Sequence, residues 1–92
     1  MKLRYKARAL KQIERIHDYI ARRDAAAAAR VIRRIEHSIS RLPIVPLSGR
    51  SGVVAGTRIL VVPGLPYVVI YRVRDEEVHI IAVLHTARRR RS

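Results

Sequence analysis

Two histidines lie in the last apolar run of the chain, and the run before it contains arginine. His79 and His85 are six positions apart, and Arg72 lies in the preceding run. Imidazole changes its charge near neutral pH, so these side chains could donate or accept a proton in catalysis. Beside fixed guanidinium groups, such a pair could act on a phosphate ester without a metal ion. The alternative is that both histidines are ordinary polar residues on a solvated strand face.

The same region does not predict a metal or cofactor site. Two histidines six residues apart, without a carboxylate in the same run, supply too few metal ligands. The chain has no cysteine, which excludes a disulfide framework, a thiolate nucleophile and a cysteine-based zinc site. Gly49, Gly52 and Gly56 fit neither a Walker nor a dinucleotide-binding pattern and are typical of turns. We therefore expect no metal and no cofactor.

A row of basic residues recurs earlier in the chain. Its members follow one another at steps of four, three and four positions: Arg30, Arg34, His37 and Arg41. On a helix this spacing places them along one face, where they could dock an acidic protein segment or nucleic acid. The alternative is a solvated helix face with no partner.

The elements that must position these groups follow from hydrophobic periodicity and turn residues. Period-two alternation predicts a strand at 3–7, and runs rich in β-forming residues predict strands at 57–62, 67–74 and 78–85. Helical spacing predicts one helix ending near 22–23 and a second over 25–42, with Asp24 as its N-cap. Residues 43–56, rich in proline and glycine, form a loop. The order β-α-α-β-β-β predicts an α+β fold, in which a two-helix hairpin packs on one face of a small antiparallel sheet.

A tight turn at residues 75–76 would set the register of the last two strands. It pairs Tyr71 with Ile80, Val69 with Ala82 and Tyr67 with Leu84 on one face, and Arg72 with His79 and Ile70 with Ile81 on the other. We expect the second face, which would carry Arg72, Arg74, His79 and His85, to be the open one. One extra residue in either strand would mix the two sets.

The composition indicates a small, folded and strongly basic protein. Lys and Arg number 20 against 7 Asp and Glu in 92 residues, a net charge of +13, while 49% of the residues are hydrophobic. That apolar fraction excludes a disordered basic tail, and the self-repulsion of the charge predicts an acidic partner. We expect one domain over 1–87 and a basic tail over 88–92. Without a signal peptide or a membrane span in view, we expect a cytoplasmic protein.

Several motifs in order resemble one known family. They are GRSG at 49–52, GTR at 56–58, PYVVIYRV at 66–73 and VLHTAR at 83–88, together with Ile13, Tyr19 and Ile20 upstream. This set resembles the ParE branch of the RelE/ParE toxin superfamily over nearly the whole chain. The resemblance implies the toxin of a type II toxin–antitoxin module, neutralised by a small and acidic cognate antitoxin. It implies contact with DNA indirectly, through the toxin–antitoxin complex.

The resemblance leaves two cellular targets open. ParE-like members are associated with inhibition of DNA gyrase, whereas RelE-like members cleave mRNA on the ribosome. RelE-like nucleases carry lysines on the second strand and an arginine after the aromatic residue that opens the third. Here the second strand is 58–62, RILVV, and Val68 follows Tyr67, so most of those cations are missing. We therefore favour the gyrase inhibitor, which need not be an enzyme.

The resemblance also suggests the functional residues of each alternative. A gyrase inhibitor would use Arg58 and the C-terminal arginines Arg88, Arg89, Arg90 and Arg91, and Arg30, Arg34, His37 and Arg41 would bind the antitoxin. A ribosome-dependent nuclease would use His85, His79, Arg72 and Arg88. A third alternative is a nonenzymatic nucleic-acid-binding domain. Because Tyr67 and Tyr71 are expected in the core, we expect no aromatic platform for stacking bases.

Overall fold

The computed structural model describes the backbone of residues 1–89 and the side chains of residues 1–87. The elements in chain order are β1 (Lys2–Tyr5), α1 (Ala7–Ala21), α2 (Ala25–Ser40), β2 (Arg50–Ser51), β3 (Arg58–Val61), β4 (Tyr67–Arg74), β5 (Glu77–His85) and α3 (Thr86–Arg89). The predicted element order is confirmed, with β2 added inside the predicted loop and α3 added after β5. Arg90 and Arg91 lie outside the described residues, as do the side chains of Arg88 and Arg89.

The five strands form one sheet in the order β1-β5-β4-β3-β2. The four strands from β2 to β5 are antiparallel to their neighbours, but β1 runs parallel to β5, from Lys2 opposite Glu77 to Tyr5 opposite Ile80. The prediction of an antiparallel sheet was therefore wrong at this edge. Parallel neighbours need a long connection, and the chain between β1 and β5 includes both helices. Because α1 packs on β5, the strand that precedes α1, β1, lies beside the free edge of β5.

The two long helices begin in different ways. The Asp24 backbone is extended, and its Oδ1 accepts a hydrogen bond from the Ala27 N–H at 2.9 Å, so the predicted N-cap is confirmed. Lys6, which precedes α1, has no side-chain cap, and its N–H instead donates to the Ile80 carbonyl at 2.9 Å. The helices bury an apolar stripe that includes Ile35 and Ile39 against one face of the sheet.

The turn between β4 and β5 is the predicted tight one, but a bulge follows. Asp75 and Glu76 take positive φ angles of 52° and 59°, as a two-residue type I′ hairpin requires. The predicted pairs of Tyr71 with Ile80 and Arg72 with His79 are observed, but beyond them Ile70 lies opposite Ala82, Val69 opposite Val83 and Tyr67 opposite His85. Ile81 is the extra residue. The predicted register is therefore wrong from Ile81 onward, since one inserted residue exchanges the two faces.

The long loop after α2 is pinned to the core by one hydroxyl group. Tyr71 is fully buried, and its Oη donates to the Pro46 carbonyl and accepts from the Gly49 N–H, both at 2.8 Å. A Cβ atom at Gly49 would lie 2.6 Å from this oxygen, so only glycine allows the approach. The buried hydroxyl of Tyr71 therefore fixes the path of residues 46–49.

Candidate functional site

The face of the sheet opposite the helices carries a groove of about 610 Å³. Its floor is apolar, its rim is basic and a loop contributes two valines. The floor includes Ile59, Ile70, Ile81, Ala82 and Leu84; the rim includes Lys6, Arg8, Arg72, Arg74 and His79; the valines are Val53 and Val54. We call this surface the open-face groove. A ligand bound there would bury the apolar floor, and the basic rim would attract its negative charges.

Two features make the floor apolar where a solvated face would be polar. Ile70 and Ile81 were predicted on this face, and the bulge turns Ala82 toward it as well. The loop before β3 places Val53 and Val54 beside the floor, and these side chains are 92% and 64% exposed. Neighbouring apolar side chains left in water on a small protein are typical of a surface that binds a partner.

The Glu77 carboxylate, beside His79 of the rim, is already occupied by neighbours within the chain. The Glu77 carboxylate accepts from Arg4 Nε at 3.0 Å and lies 3.4 Å from His79 Nε2. The hydrogen bond from Arg4 lowers the pKa of Glu77 below its ordinary value. Arg8 and Arg74 form no ion pair with the carboxylates of residues 1–87. Their charges therefore remain available to an acidic ligand.

The structure brings together only some of the residues suggested for a nuclease. Arg72 and His79 are opposite each other on the open face. His85 was expected beside them, but the bulge places it on the helix-bearing face, where its ring meets Tyr67 edge to face with centroids 5.5 Å apart. Its Nδ1 also accepts from the Ala87 N–H at 3.1 Å. The two histidines therefore cannot form one acid–base pair.

Arg58, suggested as a toxicity residue, has a structural role in this fold. Its half-buried side chain donates from Nη1 to the Gly49 carbonyl at 2.7 Å, and the Leu47 carbonyl lies 3.5 Å from the same nitrogen. Together with Tyr71, Arg58 holds the loop after α2 against the sheet. Substitution of Arg58 would disturb this loop as well as any contact with a target.

The basic row on α2 is exposed, as its spacing predicts, but it is not one uniform surface. Arg30, His37 and Arg41 face solvent on the side of α2 away from its buried residues. The Arg34 guanidinium instead donates to the Pro63 carbonyl and lies over Gly64, and so fastens the turn between β3 and β4. The row offers positive charge without the adjoining apolar floor that the open-face groove has.

Comparison with known families covers almost the whole chain. The family model described as the ParE toxin of the type II toxin–antitoxin system parDE matches residues 3–90. The chain belongs to the ParE toxin family. The resemblance drawn from the motifs is thereby confirmed, and a cognate antitoxin is a partner of this ParE-family toxin.

Two relatives are similar along most of their length. The toxin candidate Y4kP of Sinorhizobium fredii is 39% identical over 84 residues, which cover 91% of this chain and 86% of that protein. Toxin RelE2 of Caulobacter vibrioides is 37% identical over 81 residues, which cover 88% of this chain and 90% of that protein. One relative bears the RelE name, while the family model bears the ParE name, so the names alone do not decide between the two targets.

A solved structure shares the fold. A chain of the chromosomal ParDE toxin–antitoxin system from P. aeruginosa superposes on this chain with a TM-score of 0.86. The superposition covers 92% of this chain and 95% of the P. aeruginosa chain, and the two sequences are 24% identical. The predicted α+β fold of this ParE-family toxin, with two helices packed on a sheet, is confirmed.

Sequence reasoning missed the groove that the ParE fold forms here. The signal was present, because Ile70 and Ile81 were both expected on the face assigned to solvent. The contribution of Val53 and Val54 had no such signal, since a loop's return to the sheet is set by tertiary contacts. Among residues 1–87, no three His, Asp or Glu side chains lie close enough to hold a metal ion. No helix in the described part of the chain has both the length and the apolar character needed to cross a bilayer.

Proposed function

We propose that this ParE-family toxin acts in the cytoplasm by binding DNA gyrase, and that an acidic segment of its antitoxin neutralises it by occupying the open-face groove. The observation that carries the antitoxin site is the groove, which joins an apolar floor to a basic rim. Gyrase as the target is supported by membership of the ParE toxin family. Inhibition would come from binding, with no covalent chemistry by the toxin. DNA would be reached indirectly, through the toxin–antitoxin complex.

The groove suits an amphipathic acidic segment better than the basic row on α2 does. Apolar side chains of such a segment would cover Ile59, Ile70 and Ile81, while its carboxylates would meet the guanidinium groups of Arg8 and Arg74, which form no ion pair within residues 1–87. Burial of apolar area supplies affinity, and charge complementarity supplies orientation and a fast encounter. The basic row on α2 supplies only charge complementarity.

Matched charge reversals separate the two surfaces. The double variant Arg8→Glu, Arg74→Glu changes the groove, and Arg30→Glu, Arg41→Glu changes the α2 row by the same net charge. We expect the groove variant to weaken antitoxin binding about tenfold more than the α2 variant, measured by calorimetry with the cognate antitoxin. A larger loss in the α2 variant would assign the antitoxin to α2 and refute the groove.

Two observations support binding rather than nuclease chemistry. His79 and His85 lie on opposite faces of the sheet. The strand β3 has the sequence RILV at 58–61, and its one basic side chain, Arg58, donates a hydrogen bond to the Gly49 carbonyl in the loop after α2. Metal-independent cleavage of RNA needs an acid, a base and cations around one phosphate, and this arrangement separates them.

The target is tested directly with purified components. We expect the toxin to block DNA supercoiling by gyrase at a stoichiometric ratio and to leave mRNA intact in a translating extract. His79→Ala and His85→Ala should both retain the inhibition of gyrase. Unchanged supercoiling at excess toxin, together with codon-linked mRNA cuts that either histidine variant abolishes, would establish the nuclease instead.

A further inference from the structure

A second cleft lies on the helix-bearing side of the sheet, away from the open-face groove. It has a volume of about 540 Å³ and runs between α1 and the ends of β4 and β5. Three aromatic side chains line it, Tyr19 from α1, Tyr67 from β4 and His85 from β5, together with Arg15 and Gln12 of α1. The chain has four tyrosines and no Phe or Trp, so half of its large aromatic rings meet here.

Two of these rings are packed against each other, and the third faces solvent. His85 and Tyr67 pack edge to face at an interplanar angle of 85°. Burial, and to a lesser extent the neighbouring Tyr19, raises the pKa of Tyr67. Tyr19 is 62% exposed, although burying its ring would be favourable. The cleft therefore offers a free aromatic surface beside a fixed aromatic pair.

The polar groups of the cleft suit an anionic ligand. Gln12 Oε1 accepts from the Val83 N–H at 2.8 Å, which holds α1 against β5. One turn further along α1, Arg15 forms no ion pair with the carboxylates of residues 1–87. The hydrogen bond from Ala87 to His85 Nδ1 leaves the proton of a neutral His85 ring on Nε2, as a donor. The cleft thus pairs stacking surfaces with a guanidinium and an imidazole N–H.

We propose that this cleft binds single-stranded nucleic acid, with a base stacked on Tyr19 and an adjacent phosphate held by Arg15. Every nucleobase has a face that an aromatic ring can stack on, and a guanidinium binds phosphate well. The site goes beyond the proposed function, since neither gyrase nor the antitoxin is needed for it.

Nucleic acid fits the cleft better than an acidic peptide does. A peptide carboxylate would use Arg15 but would leave the solvent-facing ring of Tyr19 without a planar partner. A nucleotide uses both groups at once, because base and phosphate are joined in one unit. Deoxyribose and ribose strands share this chemistry, and the experiment tests both.

The test measures binding of short fluorescein-labelled oligodeoxyuridine and oligouridine, which share one base and differ only in the sugar, to the purified full-length chain by anisotropy. The variants are Tyr19→Ala, Tyr19→Phe and Arg15→Gln, with Arg23→Gln as a charge-matched control that lies outside the cleft. We expect Tyr19→Ala to weaken binding about tenfold, while Tyr19→Phe, which keeps the stacking surface, stays within about twofold. Arg15→Gln should weaken binding several times more than Arg23→Gln.

Two results would overturn the proposal. One is equal binding by Tyr19→Ala and the unchanged chain, with Arg15→Gln no weaker than Arg23→Gln, which would mean contact through overall charge alone. The other is a loss of antitoxin binding in Tyr19→Ala with oligonucleotide binding intact, which would make the cleft a protein-docking surface. Because Tyr19 is largely exposed, circular dichroism should show that each variant is folded. A preference for one oligonucleotide would identify the favoured sugar and support the site.

Discussion

At the scale of single residues, the structure assigns tasks that residue type alone leaves open. Tyr71 and Arg58 look like a core aromatic and a surface cation, yet together they hold the loop after α2 through the backbone of Pro46, Leu47 and Gly49. That loop leads toward Val53 and Val54 at the open-face groove. A buried hydroxyl thus supports the surface proposed to bind the antitoxin.

Removing this hydroxyl should destabilise the protein. We expect Tyr71→Phe to lower the free energy of unfolding by about 1–3 kcal/mol, because the Gly49 N–H loses its partner in a buried position. Urea denaturation of the purified chain measures the change. Tyr19→Phe, which removes an exposed hydroxyl from the same residue type, is the control and should change stability by less than about 0.5 kcal/mol. Equal effects of the two substitutions would refute the role given to Tyr71.

At the scale of elements, the start of a helix can be predicted from local sequence, whereas the pairing of strands cannot. The start of α2 follows from Asp24, whose carboxylate acts within one turn of its own position. The course of β5 does not follow from local pattern, because the residues around the bulge, Ile81 to Leu84, are all apolar and fit either face. The bulge places His85 at the cleft lined by Tyr19 and Tyr67, and Ala82 at the open-face groove. One inserted residue therefore shapes both candidate sites.

The cap of α2 offers a test at this scale. Asp24→Ala should reduce the free energy of unfolding by about 1 kcal/mol, because the first-turn amide of Ala27 loses its acceptor. Asp24→Ser, which can accept the same hydrogen bond, should retain most of the stability. Thermal or urea denaturation measures both. An equal loss in the Ser and Ala variants would show that the cap hydrogen bond contributes little.

At the scale of the whole molecule, the charge is a field spread over the fold. Residues 1–23 alone carry eight basic and two acidic side chains, about half of the net charge of +13. Some arginines are occupied within the chain, as Arg4 is by Glu77 and Arg34 by the Pro63 carbonyl. The remaining field is suited to draw in an acidic partner before specific contacts form.

Association with the antitoxin should therefore depend strongly on salt. We expect the association rate constant to fall at least about tenfold between roughly 0.05 and 0.5 M NaCl, because counterions screen the attraction between exposed charges. Stopped-flow fluorescence with the cognate antitoxin measures it. The dissociation rate should change much less, since contacts with the apolar floor are not screened. An association rate independent of salt would contradict electrostatic steering.

Much of this protein could be predicted from local and compositional features. The two helices, the Asp24 cap, the turn at Asp75 and Glu76 and the order of the elements along the chain depend on interactions between near neighbours in the chain, so periodicity and turn residues are enough. The motifs were likewise enough to indicate the ParE family. The high charge follows from composition alone and requires no fold.

The tertiary structure decided where the candidate binding surfaces lie. The parallel pairing of β1, the bulge at Ile81 and the return of Val53 and Val54 to the sheet depend on contacts between residues far apart in sequence. Tyr19, Tyr67 and His85 likewise meet only because α1 packs across the ends of β4 and β5. We expected no aromatic platform because Tyr67 and Tyr71 were each assigned to the core from their positions in one strand. It is the packing of helix on sheet that gathers Tyr67 with the rings of Tyr19 and His85 into one cleft.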